Sequence, residues 1–182
     1  MLSVVIPTYN EEEYLPRLLA SLRIQSFRDF EVIVADAHST DRTCELAAIF
    51  GTRVVEGGRP GAGRNRGATA ARGDIILFLD ADVVLPDSGF LQTTLAEFAE
   101  RGLGIATCRV DPLSARPIDR IFHGIYNAFM TATARLVPHA PGFCIFVRKT
   151  VHDGISGFDE EITLAEDHDY AVRASKVGRF GV

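Results

Sequence analysis

Two carboxylates stand one residue apart in Asp80-Ala81-Asp82, directly after the apolar run Ile76–Leu79. The run reads as a strand buried on both faces. A strand that ends in two acids delivers negative charge to the rim of a sheet. In open α/β sheets that rim is where ligands bind. Two acids at this spacing can share a hard cation, and such a cation commonly holds a diphosphate. They equally suit a plain strand-to-turn ending, where Asp is common.

Other candidate residues fall at similar places. The first apolar run ends in Pro7-Thr8-Tyr9-Asn10-Glu11. Pro7 cannot continue a ladder, so the turn presents Tyr9 and Glu11 at the same rim. Tyr9 could pack on a flat base and Glu11 could accept from a base or sugar. Acids there would also simply favour a helix N-terminus. The second run ends in Asp36, where a carboxylate suits a base N–H or a ribose hydroxyl; Ser39 and Asp41 beyond it read as helix caps. The stretch Gly57–Gly67 (GGRPGAGRNRG) carries Arg59, Arg64 and Arg66 but fails the spacing of the dinucleotide fingerprint. A flexible loop, a helix start and these cations suit a diphosphate, or a solvated basic turn. Near the end, Glu166-Asp167 sits where a loop meets a helix, and a carboxylate there could act as general base.

Strand and helix signals alternate to position these groups. Strands are expected at 3–7, 31–35, 52–55, 74–79, 104–110 and 143–147. Helices are expected at 12–25, from the caps at 39–41 through Phe50, from Gly63 through Arg72, at 90–101, at 118–137 and at 164–177. The 118–137 helix is amphipathic, and its apolar residues read as core in preference to a face beside a lipid-linked acceptor. The order βαβαβαβαβ predicts an α/β fold with a doubly wound, mostly parallel sheet and right-handed crossovers. One domain is expected over 1–182, with a nucleotide-binding half to Asp82 and an acceptor-side half from 83.

Of the 182 residues, 47% are hydrophobic and 24% charged, ordinary values for a globular domain. The net charge of −5 argues against nucleic acid as a partner. Cys44, Cys108 and Cys144 show no metal-ligand spacing, which points to reduced thiols and a cytoplasmic setting. No apolar run reaches the roughly 20 residues of a spanning helix. The sequence stops at Val182 on what reads as a turn entering a strand, which suggests truncation of a longer chain.

Taken in order, VVIPTYNEE, VIVADAHSTD, GAGRNRG, LDAD, GFDEE and the later Glu166-Asp167 pair resemble the family 2 glycosyltransferases of the GT-A fold. Those enzymes move a sugar from a nucleotide diphosphate sugar to an acceptor hydroxyl with inversion. The resemblance implies that Pro7, Thr8, Tyr9 and Glu11 line a nucleotide pocket and that Asp36 faces the base. It places Arg64 near the diphosphate, Asp80 and Ala81 at the ribose and metal shell, and Asp82 on Mn²⁺ or Mg²⁺. Asp167 becomes the base, supported by Glu166. The implied acceptor is a glycan or a lipid-linked hydroxyl, with membrane association through a missing C-terminal region at the inner face. Two departures stand out. Ala37 occupies a position where the family often has a second aspartate that helps read uracil, and no Q-x-x-R-W motif is present. A nucleotidyltransferase and a non-catalytic nucleotide-sugar binder are the rival readings.

Overall fold

The computed structural model describes residues 1–134 and 138–182. In chain order the elements are β1 (Leu2–Thr8), α1 (Leu15–Arg23), β2 (Phe30–Asp36), α2 (Thr43–Ile49), β3 (Arg53–Glu56), α3 (Pro60–Ala70) and β4 (Ile75–Leu79). There follow α4 (Phe90–Glu100), β5 (Ile105–Thr107), α5 (Pro117–Thr133), β6 (Cys144–Arg148), α6 (Lys149–Gly154), α7 (Glu166–Ser175) and β7 (Phe180–Gly181). Residues 135–137, the expected last turn of the helix from Ile118, lie outside the described residues.

Among the described residues, seven strands form one sheet in the order β3-β2-β1-β4-β6-β5-β7. The first four run parallel as expected, β1 pairing from Leu2↔Phe30 to Thr8↔Asp36. The second half departs from a simple doubly wound order. β6 inserts antiparallel between β4 and β5, with Leu79 opposite Cys144 and Ile75 opposite Arg148. β5 keeps the direction of β4 without touching it. The physical reason lies in burial: Cys144, Ile145, Phe146 and Val147 are all buried and need cover on both faces, which a central position gives.

Alternation along the strands divides the core. Val4, Ile6, Val34, Leu77 and Phe146 face α1 and α4, meeting Leu15, Leu18, Leu22, Leu91 and Phe98. Val5, Ile33, Phe78, Ile145 and Val147 face the other side, meeting Ala68 of α3 and Tyr170, Ala171 and Ala174 of α7. The glycine-rich stretch is more ordered than expected. α3 begins at Pro60, whose fixed φ suits the first helical turn, so Gly61 and Gly63 are helical. The helix lies so close to β1 that a methyl added at Gly67 would run into the Val5 side chain.

Helix α5 corrects another expectation. Its inward residues are Asp119, His123, Tyr126, Asn127 and Met130, whereas Ile118, Ile121, Phe122, Ile125 and Phe129 are 52–63% exposed. The periodic apolar residues form an outward stripe, and the polar side turns to the protein. Asn127 explains the inversion: its amide donates to the Val110 carbonyl (2.8 Å) and accepts from the Val110 N–H (3.0 Å), completing the backbone of the segment after β5. Among the described residues no helix is long and apolar enough to cross a membrane.

α6 was not anticipated, and it carries a buried histidine. His152 packs among Phe78, Phe158 and Tyr170, with Nδ1 2.9 Å from the Tyr170 hydroxyl. Burial lowers its pKa to about 4, with Lys149 and Arg173 adding to the effect and Asp153 opposing it. An unfolded histidine titrates near 6.5. As pH falls below that value the unfolded chain gains a proton that the folded chain does not take up, so stability present above 6.5 is lost on the way to 4. Urea unfolding should therefore show about 2 kcal/mol less stability at pH 5 than at pH 7 from this group. His152→Gln should flatten that part of the profile, and an unchanged slope in the variant would refute the assignment.

Candidate active site

The carboxyl ends of the parallel strands open into a cleft of about 400 Å³. Turns after β1 and β4, the start of α3, the segment before β6 and the first turn of α7 all reach it. Its wall includes Pro7, Thr8, Tyr9, Glu11, Asp80, Ala81, Asp82, Glu166 and Asp167, together with Arg64. Gly58, Pro60 and Gly142 complete it. Thus the acids from residues 11, 80–82 and 166–167 converge in space.

The turn after β1 is fixed by the turn after β2. Asn10 adopts a left-handed backbone (φ 57), which Asn tolerates better than most residues. Its N–H donates to Ser39 Oγ (2.8 Å), and its Oδ1 accepts from the Thr40 N–H (2.8 Å). The Glu11 N–H donates to Thr43 Oγ1 (2.8 Å). Ser39 therefore joins two loops rather than capping α2, while Asp41 accepts from the Thr43 N–H at 2.9 Å near the start of that helix. Tyr9 projects from the turn, 62% exposed.

Asp36 is placed differently from the other candidates. It is buried and absent from the cleft wall. Its Oδ1 accepts from Thr8 Oγ1 (2.8 Å) and Ser39 Oγ (2.6 Å), and its Oδ2 accepts from the Ser39 N–H (2.8 Å). Burial alone would raise its pKa, yet these bonds lower it. The carboxylate stands one side chain behind the wall and holds Thr8.

Arg64 is the cation of the wall, only 3% exposed. Nη2 bonds Asp80 Oδ1 at 2.7 Å and Nη1 bonds Glu166 Oε1 at 2.8 Å. The guanidinium also lies 5.4 Å from the centre of the Phe158 ring, within cation–π range. Its Nε is buried without a partner among the described residues. Gly142 approaches so closely that a side chain there would collide with Nη2. Both terminal nitrogens are therefore engaged by carboxylates, and neither Arg59 nor Arg66 reaches the cleft wall. Arg66 instead donates to the Gly57 carbonyl.

Asp167 is held from both sides. Its Oδ2 accepts from the Gly142 N–H (2.8 Å) and its Oδ1 from the His168 N–H (2.7 Å). The turn into α7 is forced by Ala165, a left-handed residue at φ 59, an uncommon conformation for a residue with a Cβ. It aims Glu166 at Arg64 and Asp167 at Gly142.

Five carboxylates thus share the wall with one guanidinium. Burial raises the Asp80 pKa against the pull of Arg64, and Asp82 and Asp167 push the same way. Burial, Asp82 and Asp80 raise that of Glu11. This excess of negative charge suits a divalent cation. Among the described residues no three His, Cys, Asp or Glu side chains are grouped to hold a metal by themselves. One or two carboxylates, with water and substrate phosphates completing the shell, is the usual manner of Mg²⁺ binding.

The glycosyl transferase family 2 model matches residues 3–155. Poly(ribitol-phosphate) beta-N-acetylglucosaminyltransferase TarS of Staphylococcus aureus is 27% identical over 183 residues, covering 94% of this chain and 32% of that protein. The 4,4'-diaponeurosporenoate glycosyltransferase of Staphylococcus haemolyticus is 38% identical over 109 residues, covering 55% of this chain and 29% of that protein. The chain therefore spans about a third of the length of these relatives. The solved S. aureus TarS 1-349 in complex with UDP-GlcNAc superposes with a TM-score of 0.81 at 25% identity, covering 99% of this chain and 54% of that one. The mannosyltransferase PcManGT of Pyrobaculum calidifontis, in complex with GDP-Man and Mn²⁺, gives 0.81 at 22% identity, covering 100% and 53%. With the matched model running through both strands and turns that build the rim, this chain belongs to glycosyl transferase family 2.

Proposed function

We propose that the chain binds a nucleotide diphosphate sugar in the carboxylate-lined cleft and transfers the sugar to an acceptor hydroxyl with inversion. One observation carries the reading: Glu11, Asp80, Asp82, Glu166 and Asp167 face a single arginine that is already paired. An anionic diphosphate entering this wall needs a cation, and Asp82, exposed beside Asp80, is the carboxylate free to hold it. Mn²⁺ or Mg²⁺ would supply positive charge where negative charge builds on the leaving phosphate. The donors named with the solved relatives carry uracil or guanine, so both bases belong in the test.

The chain's own residues divide the remaining work. Tyr9, beside Pro7 and Thr8, offers a flat apolar face to the base. Asp36 acts through Thr8, fixing that hydroxyl at the wall. Arg64 orients Asp80 and Glu166. Asp167 is the general base: each oxygen accepts one backbone N–H and keeps a second lone pair. It takes the proton from the acceptor O–H as that oxygen bonds to the anomeric carbon. The bond from that carbon to the phosphate oxygen breaks on the opposite face, and its electron pair leaves with the nucleoside diphosphate.

Calorimetric titration with UDP and GDP should show binding that weakens at least about tenfold when Mn²⁺ is chelated, a 1.4 kcal/mol effect. Asp82→Asn should remove most of this metal dependence; an unaltered metal titration would exclude Asp82 as a ligand. Asp167→Asn should leave donor binding nearly unchanged while lowering turnover on the order of a thousandfold, the usual scale of general-base catalysis. Turnover that survives the change would remove Asp167 from the role. Release of pyrophosphate instead of nucleoside diphosphate would indicate nucleotidyl transfer.

A further inference from the structure

A second cleft, of about 740 Å³, opens on the far side of Asp82. The two clefts share that residue, which lines both. The second one differs in kind. Val83, Val84, Leu85, Phe90 of α4, Leu113 and Phe143 line it. Charged groups line it too, Arg109 and Asp111 exposed and Asp119 half-buried, whereas the buried part of the lining is Leu79, Leu85 and Cys144. His123 Nδ1 is 2.7 Å from the Asp119 carbonyl, and both backbone polar groups of Val110 are bonded to Asn127.

We propose that this second cleft binds the apolar portion of an amphiphilic alcohol, the acceptor of the transferred sugar. A saccharide would bury hydroxyls against the aliphatic and aromatic wall, and each unmatched polar group is costly. A hydrocarbon chain loses nothing there and gains from its own burial. Continuity through Asp82 gives the ligand its orientation. With the chain in the apolar cleft, the hydroxyl end reaches the junction, facing the donor cleft and Asp167. The hydroxyl oxygen then bonds to the anomeric carbon, its proton passes to Asp167, and the sugar–phosphate bond breaks with its electron pair on the departing nucleoside diphosphate. The acceptor role rests on the glycosyltransferase reading; occupancy of the cleft by an apolar chain does not.

Unbranched primary alcohols from 1-butanol to 1-octanol, titrated into the protein and followed by amide chemical shifts, test this. Each added methylene should tighten binding about fourfold, until the chain outgrows the cleft. The shifts should centre on residues 83–90 and 110–114. Leu113 and Val84 are exposed at the cleft (70% and 36%), so Leu113→Asp and Val84→Asp should fold. Both should abolish the chain-length dependence while leaving nucleoside diphosphate binding intact. The outward stripe of α5 is the competing apolar surface. Loss of alcohol binding in Phe122→Asp with retention in Leu113→Asp would overturn the proposal, as would affinity that does not grow with chain length. Alcohol binding in the cleft of a protein that binds neither UDP nor GDP would sink the glycosyltransferase reading and the acceptor role with it, leaving only the cleft's apolar preference.

Discussion

The paired guanidinium of Arg64 is the constraint on which the cleft depends. It is nearly free of solvent and bonds Asp80 and Glu166 at once. Removing water from a charge is expensive, and only well-placed opposite charges make up for it. The two carboxylates come from elements 86 positions apart in sequence, so a local interaction enforces a global arrangement. Phe158 lies within cation–π range of the guanidinium, and the missing side chain of Gly142 leaves room for it. The same backbone at Gly142 then donates to Asp167. One buried cation therefore sets the positions of three acids, both of its terminal nitrogens being bonded to carboxylates.

Around that pair, the two clefts divide the chemistry by polarity. One is walled by acids that repel one another. The other is lined mainly by apolar side chains, with Arg109, Asp111 and Asp119 among them. They meet at Asp82, an exposed carboxylate just past a strand buried from Ile76 to Leu79. This division follows from the sheet: parallel strands deliver turns to the first cleft, whereas the antiparallel insertion of β6 and the segment held by α5 shape the second.

Much of this was legible in the chain, and the exceptions have physical causes. Apolar runs such as Val4–Ile6 and Ile76–Leu79 announce strands because burial on both faces demands them. Asp80, Asp82, Glu11 and Asp167 could be singled out because acids at element ends have few other uses in such number. The engagement of Arg64 was not legible, since a basic loop reads the same whether its arginine faces phosphate or carboxylate. Asp36 ends β2 but is buried behind the cleft wall, because its bonds to Thr8 and Ser39 are a matter of side-chain geometry that the sequence does not carry. Helix α5 misled because amphipathic spacing reports that two faces differ, not which one turns inward. Gly58 and Pro60 were visible only as members of a glycine-rich run. The position of β6 was hidden as well, because alternation along a sequence carries no record of which strands become neighbours.

That insertion of β6 has a consequence for how the protein comes into being. Emerging from the ribosome in order, β4 is complete at Leu79 while its eventual neighbour begins at Cys144. During synthesis of the intervening stretch, one edge of an all-apolar strand stays open, the kind of template on which chains associate wrongly. β5 waits as well, since its sheet partners lie on either side of it at β6 and β7, both later in the chain. The nascent polypeptide thus spends some sixty-four residues of translation with a half-built sheet, and closure of that seam, with its long loop to be brought together, is the natural place for folding to be slow and for a chaperone to act.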